Sequence, residues 1–369
     1  MRWLILPLAF WAALAGAEDF AVRPSLPIRD LAGSQLIDIT RAGDRLVAVG
    51  ERGLIAFSDD QGVSWQQSRV PVSESITAVS FPTAEHGWAV GHGGVILHSG
   101  DGGESWQQQF DGNDANRQKL DYVTDRFMAL EQAMQEAESA PDPDLEYELE
   151  EAQYAVEDAE LAIETGPADP FLDVWFADAQ RGWAVGAYGM IYRTDNGGLQ
   201  WRLAAAGIEN IEGYHYYSID PAGGDTLYLS GEAGLLYRSD NGGDQWVRLG
   251  LDYDGSLFGV IALSENSVLC FGLRGNIFRS DDRGETWTTL TPADGPGLSF
   301  YGGKRTPTDT VMLVGAGGVM ASSADGENFS FEVHSARNTF SSLVALEEDL
   351  LLVGMGGLVR IPAARGGNR

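Results

Sequence analysis

The chain has 369 residues, 54 acidic against 24 basic, a net charge of −30 and one cysteine. Such a surface repels nucleic acid and anionic lipid, which both need basic partners. A lone cysteine excludes a disulfide within the chain, so apolar burial must hold the fold unaided. Cys270, inside the apolar run "SVLCFG", reads as a small buried hydrophobe.

The N-terminus, "MRWLILPLAFWAALAGAED", places basic Arg2 before an apolar run of about 11 residues and then Ala15-Gly16-Ala17. This pattern predicts a secretory signal over 1–17 and a mature chain from about Glu18. No cysteine follows the run, so a lipid anchor is not expected. No later segment approaches the roughly 18 apolar residues of a membrane span, so a soluble protein without direct membrane insertion is expected. The predicted location is outside the cytoplasm, with the periplasm ahead of full secretion.

From residue 50 onwards two elements recur. A Gly-x-x-Gly pair starts at Gly50, Gly91, Gly186, Gly231, Gly272, Gly315 and Gly354, at spacings of 41, 95, 45, 41, 43 and 39 residues. After the first five comes a serine-to-tryptophan stretch: "SDDQGVSW", "SGDGGESW", "TDNGGLQW", "SDNGGDQW" and "SDDRGETW"; a worn copy, "SADGENF", follows the sixth. With about 53 residues removed from the long gap, the period is roughly 42, the length of a four-stranded propeller blade. Chemistry uses one copy of a site, so residues repeated this often are architectural. These are Asp60 and Trp65, Asp101 and Trp106, Asn196 and Trp201, Asn241 and Trp246, and Asp282 and Trp287. The Asp or Asn is expected to accept amides two residues on and close an Asx-turn. The following glycine supplies positive φ, and the tryptophan packs beneath the turn with an N–H to satisfy. No copy carries the glutamate of an EF-hand loop, and no metal, cofactor or catalytic residue is predicted.

Each repeat reads as four short strands. In the second they are "ITAVSF", "GWAVG", "GVILHS" and "SWQQQF". The predicted fold is all-β, a seven-bladed β-propeller with an inserted α-helical hairpin. The N-terminal segment and blades one and two occupy 18–110, the hairpin 111–168, blades three to seven 169–362 and a tail 363–369. Alternate turns fall on opposite ends of a meander. The Gly-x-x-Gly turns therefore share a face with the inter-blade connections, and the Asp-bearing turns lie on the other. The last repeat stops after three strands, and "FAVRPSLPIR" (20–29) is expected to supply the fourth, removing an exposed edge.

The segment 111–168 breaks the pattern. From Asp111 to Asp169 it holds 18 acidic residues against Arg117, Lys119 and Arg126, a net charge of −15. Leu120, Val123, Phe127, Leu130 and Met134 recur at helical spacing, as do Leu145, Leu149, Ala152, Val156, Ala159 and Ile163. "SAPDPD" between them stops one helix and starts the next. This predicts an antiparallel pair with one apolar seam, leaving little apolar surface for the propeller. A solvated ornament is the plain reading; a docking arm is favoured, because function is commonly grafted on loops of a rigid scaffold.

Three arginines repeat in register just before the turn Ser or Thr: Arg193, Arg238 and Arg279. They form either a partner-binding patch or, more often at such positions, packing pairs with turn carboxylates. Aromatic residues gather where first strands begin, at Phe171, Tyr214, Tyr216, Phe258, Phe300, Tyr301 and Phe340. Of these, Tyr216, Phe258, Tyr301 and Phe340 are candidate partner contacts at the channel mouth, against a plainer role in blade packing. His215 reads as a hydrogen-bonded packing residue.

The segments "DVWFADAQRGWAVGAYGMIYRTDNGGLQW" (173–201) and "AVSFPTAEHGWAVGHGGVILHSGDGGESW" (78–106) resemble the BNR/Asp-box propellers of the photosystem II stability and assembly factor type. The resemblance covers nearly all of the chain outside the hairpin and signal. It implies a seven-bladed propeller without enzymatic activity that binds membrane-protein subunits during assembly. Exported bacterial relatives occur, some linked to transporters of the resistance-nodulation-division type. This chain departs from the photosynthetic members in its acidic hairpin and its two lysines. The expected function is that of a protein-binding assembly or accessory factor for a membrane complex, with a transporter as one such complex. The alternative is a glycan-binding or glycan-hydrolysing propeller of sialidase or glucanase kind. "VRIP" (359–362) looks like a sialidase signature, yet it follows the last repeat and reads as the last strand. A channel mouth lined by arginines or carboxylates would favour the glycan reading.

Overall fold

Short runs of Val, Ile, Leu and aromatic residues, each closed by a glycine-rich turn, fold as antiparallel meanders. The computed structural model describes residues 23–28, 30–31, 33–137, 142–290 and 295–362. Its strands form seven sheets, six of four strands and one of three, each in simple sequential order. The innermost strands are Leu36–Ala42, Ile76–Ser80, Phe171–Phe176, Tyr216–Pro221, Leu257–Ala262, Phe300–Arg305 and Phe340–Ala345. They surround a central channel. The core lies between blades rather than inside any one sheet. Val47 and Phe57 of the first blade pack on Ile76 and Ala89 of the second, and Leu36 and Leu46 of the first pack on Leu351 and Val353 of the seventh. The last contact closes the ring as a seven-bladed propeller.

The seventh sheet ends at Gly357–Pro362 with three strands. The expected fourth strand from 20–29 is not formed by the described part of that stretch. Instead the Ser25 amide donates to the Val70 carbonyl, and the Ile28 amide donates to the Gln67 side chain at 2.8 Å. Residues 23–28 thus lie along the outer edge of the first blade. The glutamine side chain and a free carbonyl there offer partners that the sequence pattern does not show. Residues 1–17, read as a secretory signal, and the tail 363–369 lie outside the described residues.

The Gly-x-x-Gly turns are explained by close approach. A Cβ on Gly186 would sit 2.3 Å from the Pro170 carbonyl oxygen. Two and three positions on, Tyr188 and Gly189 have φ of 51° and 71°. In the Asp-bearing turns the Asp60 carboxylate accepts from the amide of Ser64, four residues on, at 2.8 Å. This corrects the expected two-residue Asx-turn. The reason is Ser58, whose buried hydroxyl donates to Asp60 at 2.8 Å and accepts the Gly62 amide at 2.8 Å. The same pair of bonds recurs from Ser99 and Ser280. The Ser64 hydroxyl on Asp60 and the Thr286 hydroxyl on Asp282, joined by these amide and serine donors, hold the two carboxyls down at about 2. The indole N–H of Trp65, Trp106 and Trp287 donates to a turn glycine carbonyl. Trp201 and Trp246 keep the packing, but their N–H groups find no partner among the described residues.

Two helices interrupt the sheets, α1 (Gly112–Glu136) and α2 (Pro143–Thr165). Asp111 caps α1 by accepting from Asn113 and Asp114, and Asp142 followed by Pro143 starts α2. The seam is as predicted at Val123, Ala152 and Ala159, which are buried, but Ile163 is 44% exposed. Near the base the Asn116 side chain reaches across to the Ala162 carbonyl at 2.9 Å, and Ala162 is half-buried where Ile163 is exposed. The base also meets the propeller more closely than expected. Ala115 joins the core shared by Phe110, Tyr192 and Trp201, and the Gln118 amide group bonds the backbone of Trp201 and Leu203.

Candidate functional site: the hairpin face and the channel

The arm rises from the Gly-x-x-Gly face, where Gly112 abuts Gly94 of the second blade's turn. Above blades three and four it encloses a cavity of about 220 Å³. One wall comes from α1 and α2, with Lys119, Tyr122, Arg126, Glu151, Tyr154 and Asp158. The other comes from the Tyr188 turn and the connection between blades three and four, including Ile208 and Glu212. Lys119 sits over the Tyr188 ring, 5.9 Å from its centroid. Arg126 reaches Glu148 across the two helices at 3.7 Å. Burial, with the neighbouring Tyr237 and Tyr122 adding to it, raises the Tyr216 phenol above its ordinary range.

At the mouth of the channel an aromatic chain runs from Tyr188 through His215 and Tyr217 to Phe258 and Tyr301, with centroid separations of 4.8, 6.2, 5.0 and 5.3 Å. One residue of register divides the predicted aromatic residues. Tyr216, Phe300 and Phe340, at the first strand position, are buried between blades. Phe258 and Tyr301, one position later, line the channel, and so does Tyr217, which the sequence reading did not single out. Alternation along a strand is the signal that would have found it. His215 accepts the Tyr188 amide on Nδ1 at 3.2 Å, a packing role.

The three arginines lie on the opposite face, and each joins two blades. Arg193 pairs with Asp195 of its own turn and Asp244 of the next. Arg238 pairs with Asp240 and Glu285 and donates to the Arg283 carbonyl at 2.6 Å. Arg279 pairs with Asp281 and donates to the Asp325 carbonyl at 2.9 Å. Arg360 holds the same strand register, opposite Leu351 as Arg193 is opposite Trp183, and donates to the Gln61 carbonyl of the first blade. Arg45 links Asp59 to Glu104, and Gln109 takes the same role towards the Gly197 carbonyl at 2.9 Å.

The channel holds carboxylates that repeat counting missed. Asp38 accepts the Val79 amide at 3.0 Å, Asp173 the Ile219 amide at 2.9 Å and Asp220 the Ala262 amide at 3.3 Å. In every case the amide belongs to the following blade, so each carboxylate staples two innermost strands. Lys304 crosses the lumen to the Ile39 carbonyl at 2.8 Å. Each of these carboxylates is half-buried, with part of its surface on the lumen. Burial pushes the Asp173 and Asp220 carboxyls up to about 7, and their partial exposure to the lumen works against that shift. Among the described residues no three His, Cys, Asp or Glu side chains form a metal cluster. No helix among them is long and apolar enough to cross a membrane.

Comparison with known proteins agrees with this architecture. A curated relative, the photosystem II assembly lipoprotein Ycf48 of Synechococcus sp. (strain CC9902), is 29% identical over 127 residues, which span 34% of this chain and 38% of that protein. The solved structure of YCF48 bound to D1 peptide superposes with a TM-score of 0.60 at 17% identity, over 90% of this chain and 94% of that one. A GH74 enzyme of Niastella koreensis shares the propeller fold at a TM-score of 0.56 and 14% identity, over 89% of this chain and 52% of the enzyme. The family described as photosynthesis system II assembly factor YCF48 matches residues 21–136 and 151–298, most of the sequence, and this chain belongs to it.

Proposed function

We propose that this protein is an exported, non-enzymatic propeller that binds other proteins, acting as an assembly or accessory factor for a membrane complex on its outer side. The observation that carries this reading is the acidic two-helix arm. It is the one large departure from the repeat, it is seated on the face that carries the channel mouth, and it encloses a cavity with blades three and four. Family membership supports the class of function, and a relative solved with a peptide of D1 supports a protein ligand. The lipoprotein name of the curated relative and the leader-like sequence of residues 1–17 support export, with the periplasm as the site of action.

A glycan-active propeller is the second reading, and the observation in its favour is the carboxylate-lined channel. Paired carboxylates in glycosidases must face a sugar from opposite sides with their oxygens available. Here Asp173 and Asp220 each give one oxygen to a main-chain amide of the next blade, and the other oxygen of Asp173 accepts the Val174 amide. This favours a structural role for them and a protein ligand for the molecule.

The test is affinity capture from gently solubilised membranes read by mass spectrometry. Full-length protein is compared with a version whose residues 111–168 are replaced by a short Gly/Ser link. Enrichment of one membrane complex that disappears with the arm is the expected result. Capture of no membrane protein by either version, together with retention on a glycan array, would reverse the order of the two readings.

A further inference from the structure

We propose that the groove between the hairpin and blades three and four receives a basic, apolar segment of the partner protein. One cationic side chain would seat among Tyr122, Tyr154 and Tyr188 and face Glu151, Asp158 and Glu212. This rests on the protein-binding reading above and adds the chemistry of the partner.

The groove is large enough for one or two side chains, at about 220 Å³. Its rim exposes aromatic surface, with Tyr154 at 52% and Tyr188 at 53%. Large exposed aromatic groups beside a concavity mark interaction sites, and their ring faces attract cations. The charges within the groove are unbalanced in one direction. Its two cations already have neighbours, Lys119 the Tyr188 ring and Arg126 the Glu148 carboxylate. Glu151, Asp158 and Glu212 make no hydrogen bond or ion pair among the described residues. Glu151 and Glu212 are nevertheless close enough to Tyr147 that both raise its phenol pKa, Glu151 the more strongly. Two separate parts of the chain, α2 and the blade connection, therefore aim free carboxylates at the same opening. The net charge of −15 from Asp111 to Asp169 adds a field that draws cations towards the arm and repels acidic segments.

The probe is an array of synthetic dodecapeptides in which Lys or Arg alternates with Phe, Trp or Leu. Composition-matched sets carry Asp or Glu, or Gly and Ser, in place of the cations. The full chain is expected to bind the basic set above the other two. A Glu151→Gln/Asp158→Asn/Glu212→Gln variant should bind about tenfold more weakly, while a Glu131→Gln/Glu157→Gln/Glu160→Gln control, with the same charge removed elsewhere on the arm, keeps its binding. Circular dichroism confirms that both variants fold. Equal weakening in the two variants would show only a diffuse acidic field and would overturn the site. No preference for the basic set would overturn it as well. If that failure accompanies arm-dependent capture of a membrane complex, the groove assignment falls while the proposed function stands. Groove-dependent peptide binding without any membrane capture leaves the groove standing and removes the membrane complex.

Discussion

The two faces of the propeller use charge in opposite ways. On the Asp-bearing face, the repeated arginines are tied to carboxylates and carbonyls of two adjacent blades, as in Arg238 with Asp240, Glu285 and Arg283. On the hairpin face, Glu151, Asp158 and Glu212 remain without partners among the described residues and border open aromatic surface. A charge repeated in register has a geometric neighbour in the next repeat, so it is consumed by architecture. A charge in a segment that occurs once has no such neighbour and stays available. That difference separates scaffold from binding surface in this molecule.

The largest expected effect comes from breaking the hairpin face where it is itself architectural. Gly186→Ala places a Cβ 2.3 Å from the Pro170 carbonyl oxygen and 2.8 Å from the Phe171 Cα. Both obstacles are main chain, so relief requires moving the innermost strand, at a cost of about 3 kcal/mol. Urea unfolding followed by tryptophan fluorescence should show a clearly lowered midpoint; an unchanged midpoint would remove close approach as the reason for the repeated glycine. Next comes the opposite face. Arg238→Ala leaves Glu285 and the Arg283 carbonyl without their donor and Asp240 with Arg283 as its remaining cation, for a loss of about 1–3 kcal/mol. Arg238→Lys should recover little of it, because an ammonium cannot serve three acceptors set for a planar fork. Recovery to wild-type stability by the lysine would show that the arginine acts as a surface charge alone.

The channel sharpens the comparison through pH. Asp173 and Asp220 have folded pKa values raised to about 7, above the ~3.9 of an unfolded aspartate. Between those limits the folded protein binds more protons than the unfolded chain, so stability falls as pH rises towards 7 and is fully present below about 4. The turn carboxylates run the other way. With Asp60 and Asp282 lowered to about 2, their contribution is present above ~3.9 and is lost as pH falls through 2. The expected outcome for Asp173→Asn/Asp220→Asn is a gain over wild type at pH 8 that shrinks by pH 5. Melting temperatures for both proteins across that range decide it, and a difference that does not vary with pH would show that the two groups do not titrate there.

Sequence reading reached the fold because the same few residues recur at a fixed period. It reached the two helices because apolar spacing of three and four persists through Val123, Ala152 and Ala159. It missed what depends on one residue of register or on contacts between repeats. The Ser58 hydroxyl repeats as faithfully as Asp60, yet its role appears only when its bond to the Gly62 amide is seen. Asp38 and Asp173 occupy equivalent positions in the first strands, opposite the second-strand segments that end at Gly50 and Gly186. Aligning the first strands as closely as the turns would have exposed that pair. Glu151 and Glu212 are far apart in sequence, and no spacing rule joins them.

The smallest expected effect tests whether the arm is energetically separate from the ring. Arg126 and Glu148 meet at 3.7 Å with their side chains 34% and 41% exposed, the geometry of a surface pair. Arg126→Ala should therefore cost only about 0.2–1 kcal/mol. The loss should be local, because α1 and α2 touch the propeller mainly through Ala115 and Gln118 at the base. Hydrogen exchange read by mass spectrometry separates the two regions. Amides of 120–136 and 143–160 are expected to exchange faster in the variant, while those of the blade strands keep their rates. Faster exchange in blades three and four as well would mean that the arm and ring open together, and that the binding face shares the stability of the scaffold instead of resting on it.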